Sequence, residues 1–384
     1  MNVPALRFKD DAGLEFPEWE EKTLGEIGKF VGGGTPSTKE IKFWNGNIPW
    51  ISSSDLTDEN IFQINTTRFI TQEAISQSAT KLVPKNSILI VSRVGVGKVA
   101  INNQEICTSQ DFTNLILHSG NNIFFAYLIK FKTNKLLEFN QGTSIKGFVK
   151  SDLESFKVST PSLPEQTKIA NFLTAVDDKI TLLTKKADLL SQYKKGVMQQ
   201  IFSQELRFKD DDGQEFPEWE EKDFNDVFHS ISTKQFQILN SEISKNGKFK
   251  VVDQGQNDIA GYSNDENKIF TDLPVVIFGD HTTVLKYIDF KFVIGADGTK
   301  LLKQNFGNLK FLYYCLVFNK IETEGYKRHY SILKEIKLFI PESIEEQTKI
   351  ANFLTAFDEK ITNNQTQLDA VKQYKQGLLQ QMFV

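Results

Sequence analysis

The chain has 384 residues, 40% hydrophobic and 24% charged, with a net charge of −4. That length exceeds a single hydrophobic core, and the composition is that of ordinary globular domains. No stretch approaches the roughly 18 apolar residues of a membrane span and no apolar run follows the N-terminus, so a cytoplasmic protein without a membrane partner is expected. Cys107 and Cys315 have no paired spacing, and His118, His229, His281 and His329 are scattered, which speaks against a disulfide framework or a zinc site.

The first element is LRFKDDAGLEFPEWEEK (6–22), which returns as LRFKDDDGQEFPEWEEK (206–222) with 15 of 17 positions identical. Residues 1–22 carry −3 and the second copy −4, so the rest of the chain sums to +3. Bulk charge therefore neither favours nor excludes a nucleic acid. Leu6, Phe8, Phe16 and Trp19 are expected to pack on the module or on helix ends while the carboxylates stay solvated; docking of a partner is the alternative.

A module of residues 23–164 follows. It opens with FVGGGTPSTKEIKFWNGNIPWISSSDL (30–56), whose Gly run with Thr35, Ser37, Thr38 and Lys39 could contact phosphate but lacks the spacing of a nucleotide-binding P-loop. SRVGVGKVA (92–100) fails the same test, with Ser92 in place of the first Gly and Val99 in place of Ser or Thr. NIPW (47–50) is one residue away from the N-P-P-aromatic box of amino-methyltransferases, yet no strand, G-x-G and helix follow to bind a methyl donor. The module closes on LESFKVSTP (153–161), read as a strand.

Residues 165–202 give a helix. Ile169, Leu173, Val176, Ile180, Leu183, Ala187, Leu190, Lys194, Val197 and Ile201 alternate in steps of four and three, a heptad seam behind Pro164. After the second acidic copy comes a second module, 223–345, which looks unrelated to the first and closes on LKEIKLFIP (333–341). EQTKIANFLTAVDDKI (165–180) then recurs as EQTKIANFLTAFDEKI (346–361), and QYKKGVMQQIF as QYKQGLLQQMF, both displaced by 181 residues. The second seam runs Ile350, Leu354, Phe357, Ile361, Asn364, Leu368, Val371, Lys375, Leu378 and Met382. Each helix of about 38 residues would reach about 55–60 Å. The seams bury against each other or against a partner's helices. Lys194 and Lys375 are expected to snorkel at the seam edge. Asn364, in the place of Leu183, either fixes register or faces water.

Catalytic constellations are absent from the sequence: Glu335-Ile336-Lys337 forms an E-x-K triplet without the Pro-Asp pair of a nuclease. Polar turns suited to DNA remain, because Gln and Asn read adenine, Arg and Lys read guanine or hold phosphate, and small polar groups position the backbone. In the first module the candidates are Thr35, Ser37, Lys39, Trp50, Ser52, Ser53, Arg93, Lys98, Ser144 and Lys146, the last two within QGTSIKG (141–147). In the second they are Lys234, Gln254, Gln256, Tyr262, His281, Thr282, Lys300, Tyr326, Lys327, Arg328, His329 and Tyr330. Ordinary solvated turns are the competing reading of each.

The layout resembles, over essentially the whole chain, the specificity (S) subunits of Type I restriction–modification systems, staphylococcal examples most closely. The two EQTKIANFLTA(V/F)D(D/E)KI helices carry the resemblance, with GGGTPSTKEIKFWNGNIPWISSSDL in the first module and GQNDIAGY, GDHT and GADGTK in the second. It implies an α/β (α+β) fold of two target recognition domains separated by two long antiparallel coiled-coil helices in a pseudo-twofold circular arrangement. The division would be 1–164, connector and first recognition domain; 165–205, first spacer helix; 206–345, connector and second recognition domain; 346–384, second spacer helix. Each domain would read one half of a bipartite, asymmetric site in double-stranded DNA, the helices setting the gap and docking two methyltransferase (M) subunits. Those would bring S-adenosylmethionine, and restriction (R) subunits ATP and Mg2+, leaving this chain without a cofactor or active site. The first acidic copy would continue the second helix as the second copy continues the first, a circle cut between helix and connector. Rival readings are a self-contained methyltransferase or nuclease and a protein-binding scaffold.

Overall fold

The computed structural model describes residues 4–138, 147–295, 298–323, 325 and 327–383. It divides into two units, Met1–Thr184 with Thr366–Val384, and Lys185–Gln365.

In the first unit one sheet runs Gly28–Gly32, Thr113–Leu117, Ile88–Ile90, Val99–Ile101, all antiparallel. A second runs Arg68–Ile70, Ile48–Ile51, Ile106–Thr108, Leu82–Val83, its middle pair parallel. The second unit repeats both orders: Phe228–Ile231, Thr299–Gln304, Val275–Gly279, Leu285–Ile288, and Gly261–Ser263, Phe249–Val252, Phe292–Ile294, Ile269–Phe270, again with a parallel middle pair. Modules that look unrelated in sequence thus share one topology. The reason is patterning: Ile88 and Ile90 feed one core while Leu89 and Val91 feed another, and Val276 and Phe278 are divided from Val275 and Ile277 in the same way. Side chains alternate faces along a strand, so any apolar run between turns can fill a centre covered on both sides.

The closing strands expected before each long helix are present. Lys157–Thr160 pairs with Glu20–Thr23, and Lys337–Ile340 with Glu220–Asp223, in matching antiparallel registers. Each module also contributes a helix, Asn122–Glu138 or Leu309–Phe318. Asn121 and Asn308 start them, each side-chain oxygen accepting two backbone N–H groups. Cys107 is buried on a strand, its thiol pushed up to about 11 by burial, and Cys315 is buried on the second module helix.

The long helices are Leu163–Phe202, 40 residues, and Ile344–Met382, 39 residues. In each unit the start of one helix lies beside the end of the other. Leu6 N–H donates to Gln381 O at 3.0 Å while Arg7 grips Glu165 in the first turn of the opposing helix; Leu206 donates to Gln200 O at 3.0 Å while Arg207 approaches Glu346. The pairing is antiparallel, and the first acidic copy makes by a hydrogen bond the junction that the second makes through the chain. Asn364 is buried, 2% exposed, as is its counterpart Leu183, which places it in the seam and away from water.

Lys194 and Lys375 do not snorkel. Lys375 Nζ lies 2.5 Å from Asp177, whose other oxygen accepts the Tyr127 hydroxyl at 2.7 Å. Lys194 pairs with Asp358, which accepts the Tyr314 hydroxyl at 2.6 Å. Each ammonium also stands over the ring of its tyrosine, at 5.3 and 5.0 Å. The carboxylate and the ring together offset the cost of holding each ammonium away from water. Burial, then the neighbouring aspartate, holds both phenols far above the ordinary tyrosine range.

Candidate nucleic-acid interface

In the first unit, several loops meet at one end of the sheets. The Gly run is explained by close approach: a Cβ on Gly33 would stand 2.0 Å from Ser109 O, and one on Gly34 2.4 Å from the backbone of residues 79–80. Gly34 N–H donates to Thr108 O at 2.8 Å, its carbonyl accepts from Trp50 Nε1 at 2.9 Å, and the Thr35 hydroxyl donates to Gln110 Oε1. Trp50 is buried, with the Arg68 guanidinium 4.6 Å from its ring centre. That guanidinium pairs with Asp55 and donates to Ser52 Oγ at 2.7 Å. Lys98 Nζ donates to Ser53 O at 3.2 Å and Leu56 O at 2.9 Å. Phe148 N–H donates to Ser92 O at 2.9 Å, and Gly147 packs against the backbone of Ser92 and Arg93. Thr35, Ser37, Lys39 and Arg93 are exposed. Ser144 and Lys146 lie outside the described residues.

The second unit gathers its candidates around Asp280. His329 N–H donates to Asp280 O at 2.7 Å, Tyr330 N–H to Asp280 Oδ1 at 2.8 Å, and Lys300 Nζ stands 3.9 Å from Oδ2. Gln254 Oε1 accepts from His281 N–H at 3.0 Å, its carbonyl accepts from the Thr282 hydroxyl at 2.6 Å, and His281 Nδ1 lies 3.2 Å from Lys327 O. Gly298, at φ +85°, completes the set, since a Cβ there would meet the Gln254 amide at 2.6 Å. Lys286 Nζ donates to Asp253 O at 2.9 Å and Asn257 O at 2.5 Å, the counterpart of Lys98, and burial lowers its ammonium pKa.

Thus Gln254, His281, Thr282, Lys300, Lys327, His329 and Tyr330 converge. Lys327 and Arg328 are exposed, as is Gln256 on the 253–260 loop, whereas His329 is fully buried. Lys234 and Tyr262 stand apart: Lys234 is exposed on an early loop and Tyr262 pairs with Ser244 on an edge strand. Tyr326 lies outside the described residues. Trp50, Lys98, Thr282 and His329 act as internal fasteners of the loops, with Arg93, Lys39, Lys327 and Arg328 left on their outer faces. Arg68, Asp55 and Asp280 belong to the same clusters and were missed by sequence reasoning; only their place beside the polar turns hinted at them.

A family model described as the Type I restriction modification DNA specificity domain matches residues 17–192 and 217–373. The MjaIX specificity subunit of Methanocaldococcus jannaschii is 33% identical over 233 residues, covering 57% of this chain and 54% of the relative. The EcoR124I/EcoR124II specificity subunit of Escherichia coli is 37% identical over 194 residues, 48% of each. The chain therefore spans about half the length of these first curated relatives. The E. coli EcoprrI specificity subunit is 25% identical over 373 residues, 92% of this chain and 91% of the relative. In fold, the chain is similar to the crystal structure of the S subunit of a Type I restriction–modification system from M. genitalium, with a TM-score of 0.67, 17% identity and coverage of 100% and 99%. Two matched copies of one domain, spread over most of the chain and built on one topology, carry the conclusion: the protein belongs to the Type I restriction modification DNA specificity domain family.

Proposed function

We propose that this chain is the DNA-reading subunit of a Type I restriction–modification assembly and has no catalytic role of its own. The observation that carries the reading is the duplicated module: two folds of identical strand order, each bringing polar loops together at one end of its sheets, with unlike side chains at those ends. Two readers of one design with different tips suit a bipartite, asymmetric site. Phosphate contacts would come from exposed Lys39, Arg93, Lys327 and Arg328, and base reading from polar residues left accessible on the loops, Thr35, Ser37, Gln256, Lys234 and Tyr262 among them. In this reading residues 1–164 and 206–345 hold the recognition domains and their connectors, and the helices of 165–205 and 346–384 set the gap and dock two methyltransferase subunits. Those partners would bring S-adenosylmethionine, and restriction subunits ATP and Mg2+, in the cytoplasm. We place the chain nearest to staphylococcal members of the family.

The test is to express the chain with a compatible methyltransferase subunit and map N6-methyladenine across the genome. A bipartite, asymmetric motif is expected, and Arg328→Ala should weaken methylation by about 10-fold without altering the first half-site. An undivided motif, or one changed in both halves by Arg328→Ala, would overturn the reading.

A further inference from the structure

The second unit carries a groove of about 590 Å³ between its portions of the two long helices and the module helix, with Ser191, Lys195, Met198, Val317, Phe318 and Ile361 in its walls. The same place in the first unit is filled. The repeats give the correspondence: Lys372, Leu379 and Ile180 stand for Ser191, Met198 and Ile361. Phe131 stands for Phe318, since Phe131 meets Phe383 as Phe318 meets Phe202, and Lys130 therefore stands for Val317. Residues 58–61 lie across this place as a strap. Lys130 Nζ donates to Asp58 O, Lys372 stands 3.5 Å from Glu59, Asn60 Nδ2 donates to Thr181 Oγ1 at 3.4 Å, and Ile61 is fully buried in the cluster containing Ile180, Val371 and Leu379.

The strap is possible because sixteen residues, 52–67, join Ile48–Ile51 to Arg68–Ile70, and Lys98 ties only their start. In the second unit eight residues, 253–260, join Phe249–Val252 to Gly261–Ser263, and Lys286 ties them to the module over most of that length. None of the eight lines the groove. Exchange of Lys130 for Val317 and of Lys372 for Ser191 leaves its wall more apolar than the counterpart. Lys194 is engaged by Asp358, and the exposed Lys195 is the cation at the rim.

We propose that this groove is a docking site for an extended segment of a partner protein, carrying a carboxylate one or two residues ahead of a large aliphatic side chain. The aliphatic group fills the space between Met198, Val317 and Ile361, as Ile61 does in the first unit, and the carboxylate meets Lys195. Among the described residues the site occurs once, because the first unit occupies its own copy. The inference does not rest on the DNA-reading function proposed above.

The sequence holds three methionines, Met1, Met198 and Met382, so methyl-labelled methionine reports on the groove and on the first unit separately. The full chain is titrated with a synthetic peptide of residues 57–63, TDENIFQ, followed by the methyl resonances. The Met198 signal should shift saturably at concentrations up to about 1 mM while Met382 stays fixed, and Lys195→Glu and Val317→Lys should each weaken binding by about fivefold or more. A peptide with Asp in place of Ile61 should leave Met198 unmoved. Absence of a saturable shift, a shift of Met382 instead, or binding unchanged in exposed-site Lys195→Glu would overturn the proposal.

Discussion

Glu165 and Glu346 occupy the same position in the first turn of a long helix, beneath two nearly identical acidic segments, and they are held differently. In the first unit Arg7 meets both oxygens of Glu165, at 3.0 and 2.7 Å, and Trp19 Nε1 adds a third donor at 3.3 Å. In the second unit Arg207 turns to Glu218 at 3.0 Å and stands 4.0 Å from Glu346, which keeps Trp219 as donor at 3.0 Å. Among the described residues, no hydrogen bond reaches the buried Oε2 of Glu346. Burial pushes this carboxyl above the usual glutamate range, against the smaller pull of Trp219 and Arg207. Local sequence specifies the fastening, but the geometry decides whether a buried charge is fully paired.

The Tyr–Asp–Lys triads show the same asymmetry and supply the largest expected effect. Asp177 is 3% exposed and Asp358 39%. Asp177→Ala strands a buried ammonium and should cost about 3–5 kcal/mol, whereas Asp358→Ala should cost about 1–2 kcal/mol because water can reach the orphaned lysine. Urea midpoints of the two variants measure the difference; equal losses would erase the distinction between the units. Next, Glu165→Gln should lose about 1.5–3 kcal/mol with its charge-assisted bonds, while Glu346→Gln at neutral pH should stay within about 0.5 kcal/mol of the parent or exceed it.

A pH series sharpens the second contrast. A carboxyl whose folded pKa is raised contributes stability below its unfolded value and loses that contribution as pH rises through the folded value. Any advantage of Glu346→Gln at pH 7 should therefore shrink as pH falls toward the ordinary glutamate value of 4.5. A constant difference in thermal midpoint between parent and variant across that window would contradict the raised pKa. The smallest effects belong to the exposed pairs Lys9–Glu15, 3.1 Å, and Lys209–Glu215, 3.0 Å. Lys9→Ala and Lys209→Ala should each change stability by less than about 0.5 kcal/mol, and a larger loss in either would mean that its turn is itself part of the clip.

Periodic elements were legible in the sequence. The long helices and closing strands follow from apolar spacing, whereas Gln254, His281, Lys300 and Tyr330 were named as separate polar candidates and their convergence was not read from the sequence. Pairings over distance were not legible. Arg7 meets Glu165 across 158 residues, and nothing local distinguishes that arginine from Arg93. Lys98 reads as a surface cation, but its ammonium is claimed by carbonyls 42 and 45 residues away. The common topology of the modules was hidden because it depends on the order of short apolar runs, which unrelated residues supply equally well.

The division into units also bears on how the chain acquires its structure during synthesis. Lys185–Gln365 is one continuous stretch, so every partner in it has been synthesised once residue 365 is added. The other unit joins Met1–Thr184 to Thr366–Val384, and the Leu6 amide must wait for Gln381 before that junction can close. Loop closure across such a separation is slow, and domains complete in the order in which their residues appear. The portion translated first is thus the last to be finished, and until then Phe124 lacks the aromatic lid that Phe383 provides at 5.6 Å.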